Sequence, residues 1–159
     1  MTETTTATAV RQEITVDVPQ ERAFTLFTER WDEVKPREHT LLEAPIERSV
    51  LEPFVGGRLY DLAQDGSTLT WGEVLACEPP SRLVFSWRLT PGFELEPDPA
   101  RFSEVEVRFV AEGPSRTRVE LEHRHLDRHG TGWESERSAV AGRDGWPLYL
   151  ANLAALAGR

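Results

Sequence analysis

The chain has 159 residues, of which 39% are apolar and 28% charged, and its formal net charge is −9. That length suits one domain with a real core. The acidic balance argues against nucleic acid or an anionic membrane as partner, because a phosphate-binding surface carries a basic excess. The lone cysteine, Cys77, excludes an internal disulfide, reads as a small apolar filler in a strand, and fits a reducing cytoplasm, where the protein is expected to reside.

Residues 1–9, "MTETTTATA", lack the basic residues and apolar block of a signal peptide and read as a disordered tail ahead of a single domain over 10–159. "VRQEITVDV" alternates and predicts a strand over 10–18. Pro19 then opens "PQERAFTLFTE", where Ala23, Phe24 and Phe27 make a short apolar stripe, and "WDEV" adds one helical turn before Pro36. Two short helices are therefore expected after the first strand. Strand-like runs follow at 46–52, 57–64, 68–78, 81–90, 102–111 and 115–125, punctuated by Gly56-Gly57, Asp65-Gly66, Pro79-Pro80 and Gly113-Pro114. Consecutive strands with short turns mean an antiparallel meander, so the class is α+β.

Two hairpins can be read pair by pair. "WGEVLACEPPSRLVFSW" (71–87) is broken by two prolines, which cannot donate to a sheet ladder, so it is two strands about a turn. With Glu78 facing Ser81, one face pairs Ala76 with Leu83, Val74 with Phe85 and Gly72 with Trp87. The other pairs Cys77 with Arg82, Leu75 with Val84, Glu73 with Ser86, and Trp71 with Arg88, the last as a cation–π contact. In the second hairpin, with Glu112 facing Arg116, the inward pairs are Phe109 with Val119, Val107 with Leu121, Val105 with His123, and Ser103 with His125. Polarity rises along this face, which predicts a pocket opening at the Ser103/His125 end.

The terminal run "DGWPLYLANLAALA" repeats Trp146, Tyr149, Leu150, Leu153 and Ala157 at helical spacing, with Asp144 placed to cap and Pro147 in the first turn. Such a helix, roughly 20 Å long, should lie across the apolar face of the sheet.

The runs "GGRLYDLAQDGSTLTWGEVLACEPPSRLVFSW", "VELEHRHLDRHG" and "GWPLYLANLAAL" resemble the single-domain homologues of the heat-shock-protein-90 ATPase activator, in the START-related, birch-pollen-allergen-like superfamily (SRPBCC), over residues 10–157. The resemblance implies a helix-grip fold: a seven-stranded antiparallel sheet wrapped around a long C-terminal helix, with a hydrophobic cavity between them. Superfamily members bind lipids, hormones or polyketides, and some cyclise polyketides. The eukaryotic activator engages its chaperone through a further N-terminal domain that this chain has no room for.

The expected function is non-catalytic binding of a small hydrophobic or amphipathic molecule, with a polyketide cyclase-like enzyme and a chaperone-interacting module as alternatives. The expected pocket lining is Val74, Phe85 and Trp87 from the first hairpin, Ser103, Val105, Val107, Leu121, His123 and His125 from the second, and Trp146, Tyr149, Leu150 and Leu153 from the terminal helix. His123 and His125 share a strand face, but His129 and the neighbouring carboxylates do not complete a zinc set, so neither metal nor cofactor is expected. Ser103 and His125 make a Ser–His pair with no orienting acid. Asp61 and Glu73 could act as acid or base if they face a cavity, although the register places Glu73 outside. The segment 91–101, "PGFELEPDPAR", is long for a meander loop and reads as a gate over the pocket mouth. A monomer or weak homodimer is expected.

Overall fold

The computed structural model describes residues 8–159. The expected strands form one antiparallel sheet of seven: β1 (Val10–Val16), β2 (Ile46–Leu51), β3 (Arg58–Ala63), β4 (Thr68–Glu78), β5 (Arg82–Trp87), β6 (Ser103–Gly113) and β7 (Arg116–Arg124), in the order β1-β7-β6-β5-β4-β3-β2. The two short helices are α1 (Gln20–Glu29) and α2 (Trp31–Val34), and they carry the chain from one edge of the sheet to the other. The terminal helix, α4 (Trp146–Ala157), buries Trp146, Tyr149, Leu150, Leu153 and Leu156 against the inner face. This is the helix-grip architecture. Of the expected tail, residues 1–7 lie outside the described residues. Ala9 is buried and Leu126 N–H donates to Thr8 O at 3.0 Å, so packing extends ahead of β1.

A further helix, α3 (Trp133–Ala141), was not legible. Its buried residues include Glu136 beside Val140, and a carboxylate at a core position hides the apolar stripe that marks a surface helix. Asp144 does not cap α4. The cap position is Gly145, and Asp144 stands at the mouth of a pocket.

The β4–β5 pairing departs from the expected register near its turn. Ser81 stays in the turn, its N–H donating to Glu78 O at 2.8 Å, so Cys77 faces Leu83 and Ala76 faces Val84. A bulge at Leu75 takes up the extra residue and restores Val74 opposite Phe85. A second bulge, between β3 and β4, leaves Leu59 opposite Gly72 and Tyr60 opposite Thr70, with Trp71 between them. The extra residue turns Trp71 inward, where it is buried against Phe85 and Trp87. The expected Trp71–Arg88 cation–π contact is therefore replaced: the Arg88 guanidinium lies 4.9 Å from the centre of the Phe102 ring and donates to Glu73 at 2.8 Å.

The β6–β7 register runs as expected from Phe109/Val119 to Glu104/Arg124, with a bulge near the turn that pairs Gly113 with Arg116. The like-charge pair Glu106/Glu122 is relieved by arginines: Arg82, Arg108 and Arg124 reach Glu106 at 2.5, 3.1 and 2.7 Å. Burial would raise its carboxyl, but these guanidinium contacts outweigh it and hold the group at about 2. The strand ends one residue earlier than expected. His125 adopts a left-handed conformation (φ 62°) and directs the chain into a 3-10 helix, Leu126–His129, that folds over the end of the sheet.

Candidate functional site

A cavity of about 340 Å³ opens between the inner face of β3–β5, the segment 35–41 after α2, and the α3–α4 junction. That volume lies in the range of small-molecule sites. Its walls are aromatic and aliphatic: Trp71 and Trp87 from the sheet, Trp146 and Tyr149 from α4, and Leu69, Leu89 and Val140 between them. The rings meet edge to face or tilted, with Trp71–Trp87 centroids 5.6 Å apart, Trp87–Trp146 5.5 Å and Trp146–Tyr149 4.8 Å. Phe93, held at φ 59°, and exposed Glu38 and Asp144 form the lip. The segment 91–101 is folded: Leu89 bridges to Leu95, and Asp98 caps the 3-10 helix Pro99–Arg101.

One wall is polar. Asp61 occupies an inward position of β3, next to Ser49 of β2, whose hydroxyl donates to it at 2.8 Å. The Lys35 ammonium lies 3.3 Å from both Asp61 carboxylate oxygens, with Lys35 only 5% and Asp61 1% exposed, and also donates to His39 O. Burial lowers the Lys35 ammonium, and the Asp61 charge resists that shift. His39 Nδ1 lies 3.0 Å from the Tyr149 hydroxyl. Burial, then the Lys35 charge, lowers the His39 imidazole, while burial, then Asp61, raises the Tyr149 phenol. A neutral imidazole thus meets a neutral phenol at the cavity wall.

Behind the opposite wall lies a buried polar chain. Trp146 Nε1–H donates to His123 Nδ1 at 3.0 Å, so His123 carries its proton on Nε2 and points it at Ser103 Oγ, 2.8 Å away. The arrangement that pairs the Ser103 hydroxyl hydrogen sends it to His129 Nε2, at 2.7 Å. His129 Nε2 lies 3.8 Å from Glu136 Oε1, and Glu136 Oε2 accepts from Trp87 Nε1–H at 2.8 Å. Burial pushes His123 down to about 3, lowers His129, and raises Glu136 to about 7.

The expected lining residues divide accordingly. Trp87, Trp146 and Tyr149 border the cavity. Val74, Phe85, Val105, Val107, Leu121, Leu150 and Leu153 are packed into the core without bordering it. Ser103 and His123 belong to the buried chain, and both are wholly inaccessible. His125 leaves the sheet and joins neither group. The sheet end expected to open is closed by Leu126, and the mouth lies on the Trp71 side instead. Ser103 does sit near a histidine and a carboxylate, but its burial denies it a substrate. Asp61 faces the cavity, whereas Glu73 is outside with Arg88. Lys35, His39 and Leu41 went unread because they come from a segment without periodicity. Among the described residues no cluster of His, Cys, Asp and Glu is arranged to hold a metal, and no helix is long and apolar enough to cross a membrane.

No curated protein sequence matches the chain. Among solved structures, the anthrahydroquino-gamma-pyrone synthase Txn09 is 37% identical, with 94% of this chain and 96% of that one covered and a TM-score of 0.65. CalC, a self-sacrificing resistance protein from Micromonospora echinospora, is 32% identical, with 94% of each chain covered and a TM-score of 0.66. The protein MLL2253 from Mesorhizobium loti, at 23% identity, 95% and 97% coverage and a TM-score of 0.62, shares the fold. The first two, with the family match, support a ligand-binding helix-grip domain, and the third the fold alone. The family described as Activator of Hsp90 ATPase homolog 1-like protein matches residues 17–158, and the chain belongs to that family, within the START-related helix-grip superfamily.

Proposed function

We propose that the protein binds a flat molecule of fused aromatic rings, bearing hydroxyl or carbonyl groups at one end, in the 340 Å³ cavity. The observation that carries this is the pairing of three indoles and a phenol with a single polar wall, Lys35–Asp61 and His39–Tyr149. Ring faces and edges set at steep angles favour a planar guest, and each buried Å² of apolar surface contributes about 25 cal/mol before binding costs. The likeness to a synthase of an anthrahydroquino-pyrone agrees in ligand class. Titration with alizarin, followed by quenching of tryptophan fluorescence, is expected to saturate at one molecule per chain. Trp71→Ala is expected to weaken it by roughly tenfold or more. Quenching that never saturates, or that ignores Trp71→Ala, defeats the proposal.

A second reading, an enzyme using the same cavity, is favoured by the His39–Tyr149 contact, since neutral imidazole can take a proton while the phenol supplies one. His39→Phe separates the two. Under binding alone the wild type turns over no ketone-bearing substrate and His39→Phe only weakens alizarin binding by removing part of the polar wall, whereas under catalysis the wild type forms product and His39→Phe abolishes it even at saturating substrate.

A further inference from the structure

Two of the indoles that wall the cavity are tethered and one is not. Trp87 Nε1–H is held by Glu136 of α3, and Trp146 Nε1–H by His123 of β7. Trp71 Nε1 has no hydrogen-bond partner. Behind the wall the two tethers approach without joining: Ser103 links His123 to His129, but His129 Nε2 stops 3.8 Å from Glu136 Oε1, which has no hydrogen-bond partner, while the Trp87 and Trp146 rings meet at 5.5 Å. Core packing alone does not call for this. A carboxyl and two imidazoles in the interior are expensive to bury, and an indole needs a single acceptor.

We propose that Glu136 and His123 are positioning residues for the ligand cavity: they fix the orientation of the Trp87 and Trp146 rings and thereby select which ring systems fit, without touching the ligand. The physical reason is directional. An indole has one N–H, and fixing that N–H to an acceptor fixes the ring's rotation. Deprived of its acceptor, the N–H no longer fixes the ring, which is free to rotate and bring the N–H to the cavity. The wall then presents a donor where it had presented a ring face. Flat rings lose contact, and a guest with an acceptor at that point gains. Trp71, untethered, is left to adjust to the guest.

This rests on the cavity being a ligand site, and the experiment separates failure of that reading from failure of the inference. The indole N–H signals of nitrogen-labelled protein report the tethers without any ligand. In the wild type, the Trp87 and Trp146 signals, assigned through Trp87→Phe and Trp146→Phe, are expected to show slow hydrogen exchange through these bonds. Glu136→Leu is expected to abolish the protection of Trp87. Glu136→Gln, whose amide oxygen still accepts, is expected to retain it. Alizarin affinity should follow the same order: near wild type in Glu136→Gln, and roughly tenfold weaker in Glu136→Leu relative to anilinonaphthalene sulfonate, which demands less planarity. In a Trp87→Phe background, Glu136→Leu should change the ratio of the two dyes no further. If Glu136→Leu does not fold, Glu136→Gln and the Trp87→Phe pair still decide. Loss of Trp87 protection in Glu136→Gln, a dye ratio that Trp87→Phe by itself leaves as in the wild type, or one that Glu136→Leu changes further in the Trp87→Phe background, overturns the inference. If neither dye binds the wild type, the ligand reading fails, and an unprotected Trp87 signal in that same protein overturns the positioning role independently.

Discussion

Asp61 stands between Leu59 and Ala63 on the inward side of β3, and the alternation in "RLYDLA" already places a carboxylate among core positions. What the alternation omits is its partner. Lys35 follows α2 and reaches Asp61 from 26 residues away, at 3.3 Å. Both groups are almost wholly buried, so removing one strands the other. Lys35→Met and Asp61→Asn are each expected to cost about 3–5 kcal/mol in urea unfolding, and the double variant less than the sum. Additive losses would show that the two groups are not coupled. The histidines repeat this division. That His123 faces inward follows from its spacing on β7, but that its ring is spent on Trp146 and Ser103, and not on a ligand, depends on groups from β6 and α4.

At the scale of elements, regular alternation was readable and its interruptions were not. Strand runs, turns and the inner faces of β6 and β7 are local properties of the chain. The bulges at Leu75 and Trp71 are not, because a bulge is a compromise between a strand and the neighbour it must match. The Trp71 bulge decides the site, since it moves an indole from the expected outer face to the cavity wall. Gly72 beside it is needed for a reason other than the ring of Trp87. A Cβ there would stand 2.6 Å from the backbone oxygen of Ser86, which cannot give way without moving β5. Gly72→Ala is therefore expected to destabilise by about 1–3 kcal/mol in urea unfolding. Gly113→Ala, where a Cβ meets nothing within 4 Å, should stay within about 0.5 kcal/mol. Equal effects would refute the backbone argument.

For the whole molecule, the buried ionisable groups set the response to pH. Folded His123 takes a proton only near 3, against 6.5 for an ordinary imidazole, so the unfolded chain binds more protons in that window and stability falls as pH drops from 6.5 to 3. His129 acts in the same direction. Glu136 opposes them: raised from 4.5 to about 7, its contribution is full below 4.5 and is lost as pH rises through 7. Below 4.5 Glu106, held at about 2, joins the histidines, and only losses remain. Urea midpoints are expected to fall steeply below pH 4.5 and gently above 7. Glu136→Gln should gain roughly 2 kcal/mol on the wild type between about pH 5 and pH 8. A gain independent of pH would mean that Glu136 does not titrate in the folded protein.

By itself the sequence determined the class, the seven strands, the antiparallel run of β2 to β7, the two short helices, the buried stripe of α4 and the pairing of β6 with β7. Each rests on periodicity or turn chemistry within a few neighbouring residues. Tertiary structure alone decided where the cavity opens, that Trp71 joins Trp87 and Trp146 in its wall, that α3 buries a glutamate, and that Ser103 and His123 lie behind the wall. Those outcomes depend on side chains brought together across long stretches of chain, such as Trp87 with Glu136, 49 residues apart, and Tyr149 with His39, 110 apart. No local pattern encodes such meetings, because only the closed sheet and the helix across it bring the partners within hydrogen-bonding reach.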